Sequence, residues 1–203
     1  HLRSRKNLLT GSEKMSEIVN WKDRSVCVLF GDGAGAVVLK AVDNNTEDDT
    51  GVSAGHERGI IDSNIYNDGT GASVLTGGRR FSDSCSTDIF IHMDGQEVFK
   101  FAVKSVPTAI ETLLHNNNMD INDVDKFILH QANVRIIESV AKRLKADKDK
   151  FPVNLNEYGN TSSASIPILL DELNRNGSLK QGEKLVLAGF GAGLSWGSIL
   201  LVW

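Results

Sequence analysis

Phe127-Ile128-Leu129-His130-Gln131-Ala132-Asn133 is the stretch on which the reading of this chain turns. Three apolar residues with the look of a buried strand run straight into a histidine and two amides. A segment with apolar residues at helical spacing, Ile136, Ile137, Val140, Ala141 and Leu144, begins directly afterwards at Val134. His130 is thereby expected at a strand-to-helix junction. In open α/β sheets the carboxyl ends of strands line the ligand crevice, so an imidazole there is placed for chemistry. A lone histidine is more often a satisfied core residue, and the functional reading needs other stretches to converge on it.

Working outward, Ile89-Phe90-Ile91-His92-Met93 reads as a strand. The helix that follows carries Val98, Phe101, Ala102, Val106, Ala109, Ile110, Leu113 and Leu114 on one face, with Pro107 as a candidate kink. Beyond the junction, a helix is expected over residues 163–174, capped by Thr161 or Ser162 and ended near Gly177. Two strands, 184–188 and 196–202, close the chain. This alternation predicts an α/β fold with a mostly parallel sheet and helices packed on it. Upstream, residues 7–10, 25–30 and 35–42 read as short strands. Gly31-Asp32-Gly33-Ala34-Gly35 between two of them resembles a dinucleotide fingerprint, but a strand rather than a helix follows, so phosphate binding is rejected in favour of a turn with close backbone approach. The acidic run 43–51 reads as a solvated loop, residues 52–59 as a strand carrying His56, and residues 62–88 as a long loop.

Composition narrows the function classes. The chain has 203 residues, 40% hydrophobic and 24% charged, with a net charge of -4, so no broad electrostatic footprint for nucleic acid exists and any acidic partner must meet a local basic patch. Its apolar runs are strand-sized, which predicts no membrane span. Of its two cysteines, Cys27 falls in an apolar run and Cys85 in a polar stretch; with no leader pattern, a reducing cytosolic or organellar interior is expected. No metal and no cofactor is assigned.

Two stretches converge on His130. Glu157-Tyr158-Gly159-Asn160-Thr161-Ser162-Ser163-Ala164-Ser165 sets an amide beside a helix start crowded with small residues. Gly189-Phe190-Gly191-Ala192-Gly193-Leu194-Ser195-Trp196-Gly197 reads as a glycine-rich turn able to aim several backbone N–H groups one way. A histidine, an asparagine and such a nest together would stabilise a developing oxyanion.

On Phe30-Gly31-Asp32-Gly33-Ala34-Gly35-Ala36, His130-Gln131-Ala132-Asn133, Gly159-Asn160-Thr161-Ser162-Ser163 and Phe190-Gly191-Ala192-Gly193 through Trp196-Gly197, the chain resembles the C-terminal portion of the beta-ketoacyl-acyl-carrier-protein synthase III family, condensing enzymes of the thiolase superfamily. The resemblance implies a thiolase-like fold with a complete C-terminal half, residues 88–203, and the tail of an N-terminal half, residues 1–87. It implies decarboxylative Claisen condensation of acyl-CoA with malonyl-acyl-carrier protein, and a homodimer for the complete enzyme. His130 and Asn160 would bind the malonyl thioester oxygen, the Gly191-Ala192-Gly193 turn would bind the acyl oxyanion, and Phe190 would shield the site. Lys100, Asn133, Arg135, Lys142 and Arg143 are implied in binding CoA and the acidic carrier protein. Arg135 and the pair Lys142 and Arg143 stand seven and eight positions apart, on one side of a helix.

The chain departs from the family in one weighty respect. Neither Cys27 nor Cys85 matches the family's helix-start nucleophile, which implies a fragment, inactive by itself, with the thiol upstream of His1. A lesser departure is Gln96, where relatives carry Asn near the CoA pocket. A hydroxymethylglutaryl-CoA synthase, a polyketide-type synthase and a non-catalytic truncation that binds CoA or carrier protein stand as alternatives.

Overall fold

A computed structural model describes residues 6–41, 58–77 and 89–203. Within them the chain runs β1 (Lys6–Glu13), β2 (Gly33–Lys40), β3 (Gly59–Asn67), β4 (Leu75–Gly77), β5 (Ile91–Met93), α1 (Gly95–Asn116), β6 (Lys126–Leu129), α2 (Val134–Leu144), α3 (Leu155–Tyr158), α4 (Ser165–Arg175), β7 (Lys184–Gly191) and β8 (Ser195–Val202). The main sheet has the order β3-β8-β7-β6.

The apolar run of residues 127–129 is continuous because β6 is covered on both faces. Phe127 and Leu129 pack into one cluster with Ala102, Val106 and Ile110 of α1 and Ile137 and Val140 of α2. Ile128, between them, points the other way into a second cluster with Leu169, Leu170 and Leu173 of α4. The period of two along the strand thus divides three apolar residues between two helical layers. Both helix stripes expected from the sequence are buried except for Phe101, which is half-buried, and α1 continues through Pro107. Asp94 starts α1 by accepting the N–H groups of Gln96 and Glu97 at 3.0 and 3.1 Å.

The sheet corrects the expectation of mostly parallel strands. Only β6 and β7, joined by the crossover through α2, α3 and α4, are parallel. β7 turns into β8 through residues 192–194, too short a connection for anything but an antiparallel pair, and β3 adds to the far side of β8, also antiparallel. The expected glycine-rich turn of residues 189–197 is therefore mostly strand.

Other differences have local causes. Residues 25–29 form turns, because the Asp23 carboxylate accepts both the N–H and the hydroxyl of Ser25, at 2.9 and 2.6 Å, and offers the backbone an alternative to a ladder. Cys27 accordingly sits in a turn. Residues 33–35, read as part of a glycine turn, already belong to β2, which pairs with β1 from Lys6↔Lys40 to Glu13↔Gly33. The strand expected over 52–59, with His56, falls outside the described residues except for its last positions. The long loop expected from 62 begins instead with β3 and includes β4. Its polar Asn64 is accommodated because the side chain donates to Ala109 O at 2.8 Å and accepts from Ser198 N and Oγ at 3.0 and 2.7 Å. Residues 78–88, with Cys85, lie outside the described residues. The strand expected over 89–93 shrinks to β5.

The first part of the chain meets the second at several places besides the β3–β8 pairing, and one close approach bears on the site. Asn160 N–H donates to Leu29 O at 2.8 Å, and Gly31 N–H donates to Asn160 O at 3.0 Å, a single parallel bridge between Phe30 and Asn160. A Cβ on Gly31 would lie 2.1 Å from the carbonyl oxygen of Tyr158, which explains the glycine the sequence places there. Gly31→Ala is expected to force these backbones apart and to destabilise the chain by about 1–3 kcal/mol, the usual range for overpacking. Urea unfolding checks this; an unchanged midpoint would show that the contact is not constraining.

Candidate active site

A cavity of about 300 Å³ opens where β6 ends. It brings together His130, Asn160, Phe190, Gly191, Ala192 and Asn133 from the second part of the chain with Met15, Ile18, Phe30 and Leu75 from the first. His130 is held by its backbone N–H, which donates to Ala188 O of β7 at 2.8 Å and so continues the parallel ladder by one residue. Its Nδ1 lies 2.7 Å from Ser165 Oγ, and its ring meets Phe190 edge-on with centroids 5.3 Å apart. Phe101 stands edge-on to both Phe190 and Trp196, and Trp196 stacks on Tyr66. Aromatic packing thus fixes the wall beside the imidazole. Burial pushes His130 down to about 4, so the imidazole is neutral at physiological pH.

Asn160 is oriented as closely. Its Oδ1 accepts the N–H of Ser162 at 2.9 Å, which leaves its amide hydrogens for the cavity. The same bond corrects the expected cap: neither Thr161 nor Ser162 caps the helix with its side chain, and a 3₁₀ turn, Ser162–Ala164, precedes α4. Asp32, next to Gly31, accepts Ser16 N–H and Oγ–H at 2.8 and 2.6 Å, bonds that hold its carboxyl below the ordinary range.

The remaining residues singled out in the sequence divide. Phe190, Gly191 and Ala192 line the cavity, whereas Gly193 stands at the hairpin tip with φ 140°. Asn133 lines the cavity too, and its side chain caps α2 by accepting Arg135 N–H at 2.9 Å. Arg135, Lys142 and Arg143 lie exposed on α2, with Arg143 Nη1 donating to Val103 O at 3.4 Å. Lys100 is exposed and paired with Glu97 at 2.7 Å. None of these four lines the cavity. Cys27 packs beside Met15, Val19, Val26 and Ile91 and lines no part of it.

Sequence reasoning left Gln131 and Ser165 without a role. Gln131 is buried; its side chain donates to Leu129 O at 2.8 Å and accepts from Asn154 N at 3.2 Å, and its own N–H donates to Ser165 Oγ at 3.3 Å. An amide following an apolar strand was the available signal, because such a residue must find partners inside.

Two family models match the chain: 3-oxoacyl-[acyl-carrier-protein (ACP)] synthase III over residues 2–69, and the C-terminal region of the same enzyme over residues 114–203. The chain belongs to the 3-oxoacyl-[acyl-carrier-protein] synthase III family. It is 44% identical over 202 residues to the beta-ketoacyl-[acyl-carrier-protein] synthase III of Clostridium acetobutylicum, covering 97% of this chain and 58% of that protein. The chain therefore spans less than two thirds of that relative's length. Among solved structures it resembles 3-oxoacyl-[acyl-carrier-protein] synthase III of Aquifex aeolicus VF5, with a TM-score of 0.85 and 40% identity over 98% of this chain and 58% of that one. It also resembles the priming beta-ketosynthase of the R1128 polyketide pathway, at 0.82 and 35% over 98% and 57%. The fold is α/β and thiolase-like, as the sequence resemblance implies. Among the described residues no helix is long and apolar enough to cross a membrane.

The state of His130 has a pH signature. With a folded pKa near 4 and an unfolded one near 6.5, the unfolded chain binds more protons between these values, so stability falls as pH drops through that window. His130→Gln is expected to flatten this part of the stability profile; a wild-type and variant difference that does not vary between pH 6.5 and 4 would refute the assignment.

Proposed function

We propose that this chain supplies the malonyl side of a beta-ketoacyl-acyl-carrier-protein synthase III active site, in which malonyl-acyl-carrier protein loses carbon dioxide and the resulting enolate attacks an acyl group taken from acyl-CoA. The observation that carries the proposal is the pairing of two neutral donors, His130 and Asn160, at one cavity, each with its other polar atom already spent on the protein.

As carbon dioxide leaves, the electron pair of the breaking C–C bond moves onto the thioester, and its oxygen becomes an enolate. Donors aimed there before the reaction stabilise that charge more than the ground-state carbonyl, which lowers the barrier. A neutral imidazole suits this role because it donates a hydrogen bond without protonating the enolate carbon, which must stay nucleophilic. Backbone N–H groups of the 190–193 stretch would take the oxyanion formed when the enolate attacks the acyl group. Cys27 does not line the cavity, and neither it nor Cys85 matches the family's helix-start nucleophile, so this chain alone is expected not to condense. The similarity to a polyketide priming synthase favours a second reading, in which the same chemistry serves polyketide initiation.

In the complete enzyme, His130→Ala or Asn160→Ala should slow malonyl decarboxylation by about a hundredfold or more, the scale of losing one oxyanion donor. Transfer of an acyl group from acyl-CoA to the thiol should survive. Radiolabelled carbon dioxide release and acyl-enzyme formation separate the two steps; loss of acylation with decarboxylation kept would reverse the roles.

The exposed Arg135 and Lys142 on α2, with Arg143 and Lys100 nearby in the same role, would receive the acidic carrier protein, and Asn133 at the cavity mouth would meet the phosphopantetheine arm. Complementary charge of this kind acts mainly on association and weakens with salt. Arg135→Glu with Lys142→Glu should raise the KM for malonyl-carrier protein, more at low salt than at high, and leave use of malonyl-CoA nearly unchanged. Equal losses with both donors would remove these residues from docking.

A further inference from the structure

We propose that Ser165 is a positioning residue of this site, whose hydroxyl donates to His130 Nδ1 and so places the imidazole proton on Nε2, the nitrogen left to the cavity. The inference rests on the reading of His130 as a hydrogen-bond donor to the malonyl thioester.

It follows from counting donors and acceptors around one buried oxygen. Ser165 is 2% exposed, and its Oγ has two neighbours at hydrogen-bond distance, His130 Nδ1 at 2.7 Å and Gln131 N at 3.3 Å. A backbone N–H can only donate, so Gln131 occupies an Oγ lone pair. The hydroxyl proton then needs an acceptor, and among the described residues Nδ1 is the one in reach. Were Nδ1 protonated, both neighbours would point hydrogens at Oγ and the serine's own proton would be sealed without a partner, which buried hydroxyls avoid. Burial keeps the ring neutral, so the choice between two tautomers is real and the serine makes it.

The serine is itself held in place. Gln131, whose N–H fixes the Oγ lone pair, is bonded through its side chain to Leu129 O and Asn154 N, and Asn154 Nδ2 donates to Glu172 Oε2 at 2.7 Å on α4. Since Ser165 is the first residue of α4, the end of β6, the start of α3 and the start of α4 close one loop of hydrogen bonds around the imidazole. Without the hydroxyl, Nδ1 can carry the proton, and the ring then offers an acceptor where the enolate needs a donor.

The test begins with nitrogen NMR of ¹⁵N-histidine in the full chain near pH 7.5. His130 is picked out of the chain's five histidines by the signals lost in His130→Gln. We expect Nε2 protonated and Nδ1 not; the opposite tautomer in the unaltered chain overturns the proposal without any variant at Ser165. Ser165→Ala should then show a mixture of tautomers. In the complete enzyme it should lower kcat for malonyl decarboxylation by roughly tenfold to a hundredfold, the range known for orienting partners of metal-bound imidazoles. The KM for the malonyl donor should stay near its original value, and the acid limb of the rate profile should move to higher pH. Ser165→Thr, which keeps the hydroxyl, should restore tautomer and rate together. An unchanged tautomer in Ser165→Ala refutes the role of the serine. A changed tautomer with decarboxylation intact in both Ser165→Ala and His130→Ala supports that role and refutes the malonyl reading instead.

Discussion

Two backbone hydrogen bonds, Asn160 N–H to Leu29 O and Gly31 N–H to Asn160 O, hold together residues that lie far apart in the chain, and the site depends on them. They fix the main chain of Asn160 from one side, while Ser162 N–H fixes its side-chain oxygen from the other, so the amide hydrogens have one direction left. The approach is close enough that only a residue without Cβ fits at position 31. Asp32, the next residue, anchors this segment to Ser16. The glycine-rich stretch thus positions an asparagine.

The histidine is placed by a different constraint, the two-sided burial of β6. A strand covered by α1 and α2 on one face and by α4 on the other delivers the residue at its end into low-dielectric surroundings. That desolvation drives the imidazole to its neutral form, and the hydrogen bonds around Ser165 give the neutral ring a single orientation. Packing and electrostatics act here as one cause, since the layers that stabilise the fold also set the protonation state on which the proposed chemistry relies. The aromatic chain from Phe190 through Phe101 and Trp196 to Tyr66 extends the rigidity as far as β3. Donors held this way need no reorganisation when charge develops.

Much of the second part of the fold was legible because its signals are local. The apolar stripes of α1 and α2 and the short run of β6 follow from side-chain period within a few residues. Where the reading failed, the outcome depended on partners distant in sequence. Residues 25–30 have the composition of a strand but, among the described residues, pair only through the one bridge at Phe30, and the Asp23 side chain bonds the backbone at Ser25 instead. Residues 62–67 read as the start of a long loop, yet Asn64 finds Ala109 and Ser198 and the segment becomes part of a sheet strand. The direction of β8 relative to β7 was set by a connection whose shortness could be recognised only once the strands were seen to reach Gly191 and Ser195.

By itself the sequence determined the identities that chemistry requires: a histidine at the end of a buried strand, an asparagine after a glycine, a phenylalanine and glycines in the stretch 189–197, and basic residues along one side of α2. Tertiary structure alone decided which of these share a cavity, that Lys100 is paired with Glu97, that Gly193 turns the hairpin tip, and that Gln131 and Ser165 surround the imidazole. The division has a physical reason. Side-chain chemistry and periodicity are properties of neighbours along the chain, whereas burial, tautomer and donor direction arise from groups that meet only after the sheet and its helical layers have closed.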